Sequence, residues 1–280
     1  MTRPAATVLV PAWNEAGVIG RTLAQLVPAS DRLHIVVIAN ACTDDTAKVA
    51  RQAAPAATVL ETPVPGKCAA LNLGLSHAVP GLPVVVLDAD LGVTATSVLA
   101  LIAPLAEGRA LAACGEMVAD RRASAAVRAW TRAWALNPYF SRGKFGGLFA
   151  LAPQGVARVF PLPAITADDE FIRRSFSPDE IARVATCRFV AEAPRSLAAL
   201  VRVRCRVMRG NRALPARPKG EGGRMMLRAA LRRPSRWPDL AVFALVSLWV
   251  RLTLALESPV PTTRWDRDEA TRQPTATTMV

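Results

Sequence analysis

The sequence predicts an α/β fold with a mostly parallel sheet and helices on both of its faces. Short apolar runs alternate with longer helical patterns through the first half of the 280-residue chain. This alternation is typical of βαβ units, in which consecutive strands run parallel and a helix covers the sheet between them. The run that precedes Asp88 contains no polar residue, as expected for a strand that is buried on both faces.

The elements can be assigned in chain order from these patterns. The apolar runs that predict strands are residues 7–10, 34–39, 57–60, 84–87 and 111–114. The helical patterns between and after them are residues 15–27, 44–54, 67–77, 94–105 and 123–136. Trp130 and Trp134 stand one helical turn apart in the last of these helices, which favours packing of one ring on the other.

The second predicted helix begins with a hydroxyl and two acids. Thr43 is a suitable cap, and Asp44 and Asp45 complement the positive end of the helix dipole. We therefore interpret Asp44 as a structural residue.

Composition limits the class of protein. Hydrophobic residues make up 51% of the chain, which suits one large domain or a domain with appendages. The first residues lack the basic start and long apolar core of a signal peptide, so we expect a cytoplasmic location. Five scattered cysteines without a C-x-x-C pair favour reduced thiols over disulfides or a zinc site.

Positive charge is concentrated in residues 202–236. Twelve of these residues are Arg or Lys and one, Glu221, is acidic, so the segment carries +11 of the formal +13 of the chain. A basic segment of this kind attracts nucleic acid, anionic lipid or diphosphates.

An apolar stretch follows the basic segment. Residues 240–256 are apolar except for Ser247, Arg251 and Thr253. This length is at the lower limit of a membrane span, and Arg251 is close enough to one end to reach the headgroups. A span, a helix that lies in the membrane interface and a helix that docks on protein all remain open.

We expect three regions in the chain. Residues 1–212 form the α/β domain, and residues 213–256 form a basic loop and an apolar helix that associates with membrane or docks on the domain. Residues 257–280 are polar and rich in Thr and Pro, which predicts a disordered tail.

Polar residues follow four of the predicted strands and together predict a ligand-binding crevice at the carboxyl edge of the sheet. Glu15, Asn40 and Asp88 are placed to hold a nucleoside, and Lys67 is placed to neutralise phosphate charge. Asp88 and Asp90 carry hard oxygen ligands that suit Mg²⁺ or Mn²⁺. A D-x-D pair alone is equally compatible with a solvated loop, so the prediction depends on all four strand ends.

The four strand ends resemble the motifs of the family 2 glycosyltransferases, which have the GT-A fold. The matching segments follow the order of that family and are residues 10–15 (VPAWNE), 40–46 (NACTDDT), 66–74 (GKCAALNLG) and 88–90 (DAD). The resemblance implies transfer of a sugar, with inversion, from a nucleotide-diphosphate donor to a hydroxyl acceptor, assisted by a divalent cation, Mg²⁺ or Mn²⁺.

The resemblance also implies roles for single residues. Asp90 binds the metal on the diphosphate, Asp88 faces the nucleoside or the water shell of the metal, and Glu15 contacts the base or the ribose. Gly146 and Gly147 match a glycine pair that lets the acceptor approach the backbone. The donor-binding residues implied in this way are Pro11, Ala12, Asn14, Glu15, Asn40, Lys67, Asp88, Ala89 and Asp90.

Inversion requires a base that deprotonates the acceptor hydroxyl. The family keeps an acid for this task at a helix start, in a T-E-D-like motif with which residues 166–171 (TADDEF) align. Matching Thr166 and Arg174 places Asp168 in the base position, and a shift by one residue places Asp169 there. Both acids also suit the start of a helix for purely structural reasons.

Processive members of the family carry a Q-R-x-R-W segment that is altered here. Val203 and Val207 replace its Gln and Trp, which implies a non-processive enzyme. Arg204, Arg206 and Arg209 remain, either to bind the leaving diphosphate or to form a basic surface.

Other classes of protein fit less well. The chain has no G-x-x-x-x-G-K-[ST] loop and no G-x-G-x-x-G after its first strand, which argues against P-loop NTPases and dinucleotide-dependent oxidoreductases. A nucleic-acid-binding protein would explain the basic segment but not the acidic strand ends. A catalytically inactive protein of the same fold stays open. We expect a metal-dependent enzyme at the inner face of the plasma membrane, with an anionic membrane surface as partner and a lipid-linked or cell-envelope acceptor.

Overall fold

The computed structural model describes residues 3–119, 123–137, 143–214, 228 and 233–257. Its strands are β1 (Ala6–Ala12), β2 (Leu33–Asn40), β3 (Thr58–Thr62), β4 (Val84–Leu87), β5 (Ala112–Ala119), β6 (Leu148–Leu151) and β7 (Ile181–Ala191). They form one seven-stranded sheet in the order β3-β2-β1-β4-β6-β5-β7. The predicted α/β fold is confirmed.

Helices connect the strands and cover the sheet. They are α1 (Ile19–Ala24), α2 (Thr46–Ala53), α3 (Lys67–Leu75), α4 (Ala95–Ala106), α5 (Ala125–Trp134), α6 (Pro153–Val159), α7 (Asp168–Arg174), α8 (Leu197–Arg212) and α9 (Trp237–Leu256). Short 3₁₀ turns lie at Val27–Ala29, Pro178–Glu180 and Pro234–Arg236.

The sheet is parallel except around β6. Strand β1 pairs in parallel with β2 on one side and β4 on the other. Strand β3 pairs in parallel with β2, and β7 pairs in parallel with β5. Strand β6 runs antiparallel to both β4 and β5. The start of β6 therefore lies at the same edge of the sheet as the carboxyl ends of β1, β2 and β4, which brings residues distant in sequence to one crevice.

Apolar layers lie on both faces of the sheet. Every residue of β1 and β4 is buried. Along β1, Val8 and Val10 pack in the layer that contains Ile19 of α1, whereas Leu9 packs in the opposite layer with Leu71 of α3. This alternation follows from the two-residue period of a strand and explains why the strands contain continuous apolar runs.

The helix boundaries differ from the sequence prediction near the crevice. The first helix begins at Ile19, because residues 15–18 form a turn in which the N–H groups of Val18 and Ile19 both donate to the Glu15 carbonyl. The second helix begins at Thr46, and Asp45 is its N-cap without a side-chain cap bond. In both places the chain is held by contacts between loops that a local helical pattern does not reveal.

Helices α5, α8 and α9 form a third apolar cluster beside the sheet. Trp130 and Trp134 pack with ring centroids 5.0 Å apart, which confirms the predicted contact, and Trp130 also stacks on Phe243 of α9. The predicted basic loop and tail lie outside the described residues, apart from residues 213, 214, 228, 233–236 and 257.

Candidate active site

Two asparagines join the loops that follow β1 and β2 to the turn before α3. Asn14 accepts the Thr43 N–H at 2.7 Å and donates through Nδ2 to Thr43 Oγ1 at 3.0 Å. Asn40 is fully buried, accepts the Gly66 N–H at 2.9 Å and donates to the Val64 carbonyl. Both asparagines were predicted to bind the donor, and in the structure their amides also fix the shape of the crevice.

The turn after β1 is held against the start of α2. The Glu15 N–H donates to Thr46 Oγ1 at 2.8 Å, and the Glu15 side chain is buried in the crevice wall. The Asp44 carboxylate accepts the N–H groups of Ala16 at 3.1 Å and Thr46 at 3.0 Å. Asp44 therefore has a structural role, but it lies before the helix and not in its first turn, and Asp45 rather than Thr43 is the N-cap.

The D-x-D loop after β4 is anchored from α1. The Thr22 hydroxyl donates to the carbonyl oxygens of Ala89 and Leu91, at 2.8 and 3.0 Å. Ala89 is buried, and the side chains of Asp88 and Asp90 are half-buried on either side of it. Because the backbone is fixed between them, the two carboxylates are held at the crevice.

Gly147 lies between two of the candidate acids. Its N–H donates to Asp169 Oδ2 at 2.8 Å, and its carbonyl accepts the Asp88 N–H at 2.9 Å. Its φ is +83°, and a Cβ at this position would lie 2.4 Å from Asp88 Oδ2. Glycine is therefore required here both by the backbone conformation and by the close approach of Asp88. A close approach is therefore present at Gly147, with these carboxylates as its partners, whereas a Cβ at Gly146 would meet no atom nearer than 3.7 Å.

Helix α7 begins with three acids that have different surroundings. Asp168 is 5% exposed and is the first residue of the helix, a position that favours negative charge. Glu170 pairs instead with Arg173 at 2.9 Å and Arg174 at 2.8 Å, so it stabilises the helix itself. Gly210 of α8 packs against the residues that precede α7, which fixes where the helix starts.

Lys67 lies at the centre of the acids. Its Nζ is 2.8 Å from Asp88 Oδ1, 2.9 Å from Asp168 Oδ2 and 3.6 Å from Asp169 Oδ1. Lys67 is the first residue of α3, and the Gly66 N–H before it is held by Asn40. The structure thus brings together one cation and three carboxylates from the ends of three different elements.

The charges in this cluster shift one another's pKa. Burial opposes the charge of Lys67, but Asp168, Asp88 and Asp169 together raise its pKa well above the usual value. Burial raises the pKa of Asp88 to about 7, against the opposing effect of Lys67 and with further increases from Asp169, Asp90 and Asp168. Burial likewise raises the pKa of Asp168, and Lys67 opposes the rise. The cluster contains more acid than one lysine compensates.

The cluster fits a divalent cation that arrives with a phosphate-bearing ligand. Asp168 Oδ2 and Asp169 Oδ1 are buried and form no hydrogen bond within the described part of the chain, although both face Lys67. The described residues contain no group of three or more His, Cys, Asp or Glu side chains arranged as a metal site. Mg²⁺ needs no such group when one or two carboxylates and substrate phosphates bind it together. Asp88 and Asp90 are the residues placed to supply those carboxylates.

The basic residues of α8 include one that packs on α5 and one that pairs with the end of α9. The Arg204 guanidinium stacks over Trp130 and Trp134, 5.3 and 5.5 Å from the ring centroids. Arg209 forms a two-pronged ion pair with Glu257 at the end of α9, so the structure gives it a partner that the sequence did not suggest. Arg206 is half-buried on the same helix.

Lys144 was missed by sequence reasoning. Its Nζ lies 4.0 Å from the centroid of the Trp134 ring, on the chain segment that leads to Gly146. Burial and the charge of Arg204 lower the pKa of Lys144 to about 7, while Asp169 opposes the change. Lys144 is therefore near enough to both Arg204 and Asp169 for their charges to act on it in opposite directions. A lone lysine outside any helical or strand pattern carries no sequence signal for this contact.

Eleven of the sixteen predicted site residues fall into two groups. Those that meet at the acid cluster are Lys67, Asp88, Gly147, Asp168 and Asp169. Those that form or support the wall are Pro11, Ala12, Asn14, Glu15, Asn40 and Ala89. Thr22 was not predicted either, because a threonine inside a helical pattern does not indicate a bond to a distant loop.

A family model described as glycosyl transferase family 2 matches residues 7–152, which is more than half of the chain. The match contains the four strand ends and the glycine pair, and it stops before α7. No protein with a curated description matches the chain.

Solved structures of similar fold come from mycobacteria. Glucosyl-3-phosphoglycerate synthase from Mycobacterium tuberculosis with phosphoglyceric acid has a TM-score of 0.53 and 23% identity, over 75% of this chain and 80% of that one. The same enzyme with Mn²⁺, uridine-diphosphate-glucose and phosphoglyceric acid has a TM-score of 0.53 and 22% identity, with the same coverage. A structure described only as a mycobacterial protein has a TM-score of 0.51 and 22% identity. The match covers 82% of this chain and 73% of that one. At these identities the likeness shows the fold.

Proposed function

Because the chain belongs to glycosyl transferase family 2 and is a glycosyltransferase, we propose that it moves a sugar, with inversion, from a nucleotide-diphosphate donor to a hydroxyl of its acceptor. The observation that carries this proposal is the convergence of Asp88, Asp168 and Asp169 on Lys67 at the carboxyl edge of the sheet. These residues provide carboxylates for a base and for a cation, together with a lysine for phosphate.

The donor lies over the loops that follow β1, β2 and β4. Glu15 contacts the base or the ribose, and Asp88 and Asp90 hold Mg²⁺ or Mn²⁺ on the diphosphate. When bound, the cation neutralises charge that develops on the departing diphosphate. The presence of Mn²⁺ and uridine-diphosphate-glucose in a structure similar to this chain supports the assignment.

Lys67 links donor binding to the base. Without a ligand its ammonium compensates Asp88, Asp168 and Asp169. A diphosphate at the same edge offers the ammonium a second anionic partner, and contact with it weakens the hold of Lys67 on Asp168. The acid then becomes available to accept a proton only when a donor is in place.

The base is one of the two acids at the start of α7. Asp168 is favoured because burial raises its pKa, and a carboxylate of higher pKa is a stronger base. Asp169 is the alternative, because about a third of its side chain is exposed and its Oδ2 is oriented by the Gly147 N–H. In either case the acid accepts the proton of the acceptor hydroxyl as that oxygen attacks the anomeric carbon.

The acceptor is a lipid-linked or cell-envelope intermediate, and the enzyme acts at the inner face of the plasma membrane. Support comes from the basic segment and from residues Pro234–Leu256, which by length and composition could cross a membrane. An 18-residue window of this segment has a mean hydropathy of 1.8. The valines at 203 and 207 support transfer of single sugars rather than polymer synthesis. The similar structures contain phosphoglyceric acid, which is therefore the small acceptor to test in parallel with lipid-linked acceptors.

Donor binding is the direct test of this function. Thermal unfolding is measured with a panel of nucleotide sugars, each with Mn²⁺, with Mg²⁺ or with EDTA. A bound donor at a hundredfold excess over its Kd stabilises a protein by about 2.7 kcal/mol, which is readily visible. No stabilisation by any donor with either metal would overturn the proposal.

Asp90→Ala tests the cation within the same assay. We expect this variant to lose the metal-dependent part of donor stabilisation while it unfolds normally without ligand. Asp45→Ala is the matched control, because Asp45 is an exposed acid of the neighbouring loop whose side chain makes no cap bond. Equal donor stabilisation of the Asp90 and Asp45 variants would contradict the metal assignment.

A further inference from the structure

Helix α9 is apolar on two opposite faces, and within the part of the chain that the structure describes only one of them packs on protein. Val246, Val250 and Leu254 are buried against α5 and α8, at 3%, 1% and 6% exposure. Their spacing of four residues places them on one side of the helix. This side provides α9 with a protein partner along its length.

The other face of α9 is exposed and equally apolar. Its large side chains, which we call the apolar stripe, are Leu245, Leu248, Trp249, Leu252 and Leu256. They are between 49% and 87% exposed and follow one another at three- and four-residue intervals. A continuous exposed stripe of this kind marks an interaction surface rather than scattered surface residues.

Both ends of α9 are fixed to the domain by ion pairs. At the start of the helix, Asp239 is 6% exposed and accepts hydrogen bonds from Arg132 of α5 at 2.9 Å and from Arg236 at 3.2 Å. At its end, Glu257 pairs with Arg209 of α8 at 2.8 Å. The helix thus lies along its partners over its whole length of about 30 Å.

This attachment is incompatible with a helix that crosses a membrane. To span, α9 would have to leave α5 and α8, or carry both helices into hydrocarbon together with the arginines of their middle turns, Arg128 and Arg204. Charged groups at that depth are costly, and the broken contacts would expose the third apolar cluster to water. A helix that stays docked and lies parallel to the membrane surface has neither cost.

We propose that α9 lies flat on an anionic lipid surface, with the apolar stripe in the headgroup and upper acyl region. The positive charge around α9 indicates that the partner of the apolar stripe is anionic lipid. Residues 202–236 carry twelve basic residues and one acid directly before the helix, and Arg228 and Arg233 are exposed among those that the structure describes. Arg251 is exposed on α9 itself and can extend its charge to the headgroups. An apolar stripe beside basic charge is the pattern of helices that bind the membrane interface.

The inference deepens the proposed membrane location by naming the surface and its orientation. Trp130, which stacks on Phe243 of α9, packs on Trp134, and Trp134 contacts Lys144 beside the glycine pair. The lipid surface would therefore lie next to the side of the crevice that carries Lys144 and Arg204. Lipid binding itself requires no donor and no turnover, so it can be measured separately from the proposed reaction.

The first experiment measures co-sedimentation of the full chain with phosphatidylcholine vesicles, with and without phosphatidylglycerol. We expect binding that requires phosphatidylglycerol and falls as salt is raised. The variant Leu245→Gln/Leu248→Gln/Leu252→Gln should reduce partition about tenfold or more. Val27→Gln/Val190→Gln is the control, because both valines are exposed apolar residues outside α9 and should leave binding unchanged. Circular dichroism and thermal unfolding show whether each variant folds.

The second experiment distinguishes the possible occupants of the stripe. Extraction of membranes with alkaline carbonate should release the protein, and quenching of Trp249 fluorescence should be strongest with labels near the headgroups. Retention after carbonate would show a span and overturn the proposal. Light scattering that shows a stripe-dependent dimer without vesicle binding, or binding that the triple variant keeps, would also overturn it. Donor stabilisation without lipid binding would reject this inference and leave the proposed reaction standing.

Discussion

Lys67 is the side chain on which the electrostatics of the crevice depend. Burial alone would favour its neutral form, and only the surrounding carboxylates keep it charged. The same acids compete for it, since Asp88 and Asp168 both have raised pKa values. A diphosphate that attracts this one ammonium therefore competes with three carboxylates at once.

The base can be identified by replacing the two acids separately. We expect Asp168→Asn to keep donor binding but lose turnover by about 10²–10⁴, because the hydroxyl proton then has no acceptor. Asp169→Asn should have a smaller effect if its task is to hold the Gly147 N–H. For both variants, single-turnover kinetics measures the chemical step and a separate assay measures donor binding.

Glu170→Gln is the matched control for these variants. Glu170 lies in the same helical turn, but its carboxylate pairs with Arg173 and Arg174 rather than with Lys67. We expect a loss of stability with little change in turnover. Full activity in both aspartate variants would show that the base lies elsewhere.

Asp88 should make the metal-free protein less stable as pH rises. Its pKa is about 7 in the folded chain against 3.8 ordinarily, so the folded state binds the proton more tightly than the unfolded state does. Its contribution to stability is therefore full below about pH 4 and is lost as pH rises to about 7. Because a third of the side chain is exposed, we expect a change on the order of 1 kcal/mol.

Urea denaturation in EDTA between pH 4.5 and 7.5 measures this effect. Asp88→Asn cannot ionise, so its free energy of unfolding should fall less over this range than that of the natural chain. Parallel curves for the two proteins would contradict the raised pKa.

The junction of β4 and β6 determines how closely the acids approach one another. Because β6 is antiparallel to β4, Gly147 lies beside Asp88 and between it and Asp169. We expect Gly147→Ala to destabilise the chain by about 1–3 kcal/mol through its positive φ, and also to displace Asp88. The second effect should appear as weakened metal-dependent donor binding in calorimetry.

Gly81→Ala separates these two effects. Gly81 also has a positive φ, +76°, but a Cβ there would meet no atom within 4 Å. This variant should lose comparable stability and keep donor binding. If the two alanine variants bound the donor equally, the contact between Gly147 and Asp88 would have no functional importance.

Helix α9 completes the folded domain as well as presenting the apolar stripe. Deletion of residues 237–280 would uncover Val127, Trp130 and Leu200, which α9 now covers. Burial of its three inward side chains contributes on the order of 5 kcal/mol, so we expect a lower melting temperature and aggregation. Deletion of residues 258–280 alone keeps α9 and is the control. Equal melting temperatures would show that α9 is dispensable, and the comparison also shows why removal of the helix is a poor test of membrane binding.

Agreement between sequence and structure is greatest where the signal is local. The four β4 residues were predicted to the residue, because a buried parallel strand has a continuous apolar run that no other short element shares. The starts of α1 and α2 were predicted too early, because Glu15 and Asp44 bind across loops rather than within a helix. The acids of α7 were recognised, but not their contact with Lys67.

The order of motifs along the chain was enough to determine the α/β architecture, the family and the residue types at the crevice. Apolar periodicity and the polar residues at strand ends can both be recognised from residues that are neighbours in sequence. Only the tertiary structure decided that Lys67 lies among three acids, that Asn40 and Arg209 are bound to other parts of the chain, and that α9 lies along the domain with its apolar stripe exposed. These facts depend on contacts between residues 20 to more than 100 positions apart. Such contacts are fixed by how the layers pack, and packing leaves no local pattern in a sequence.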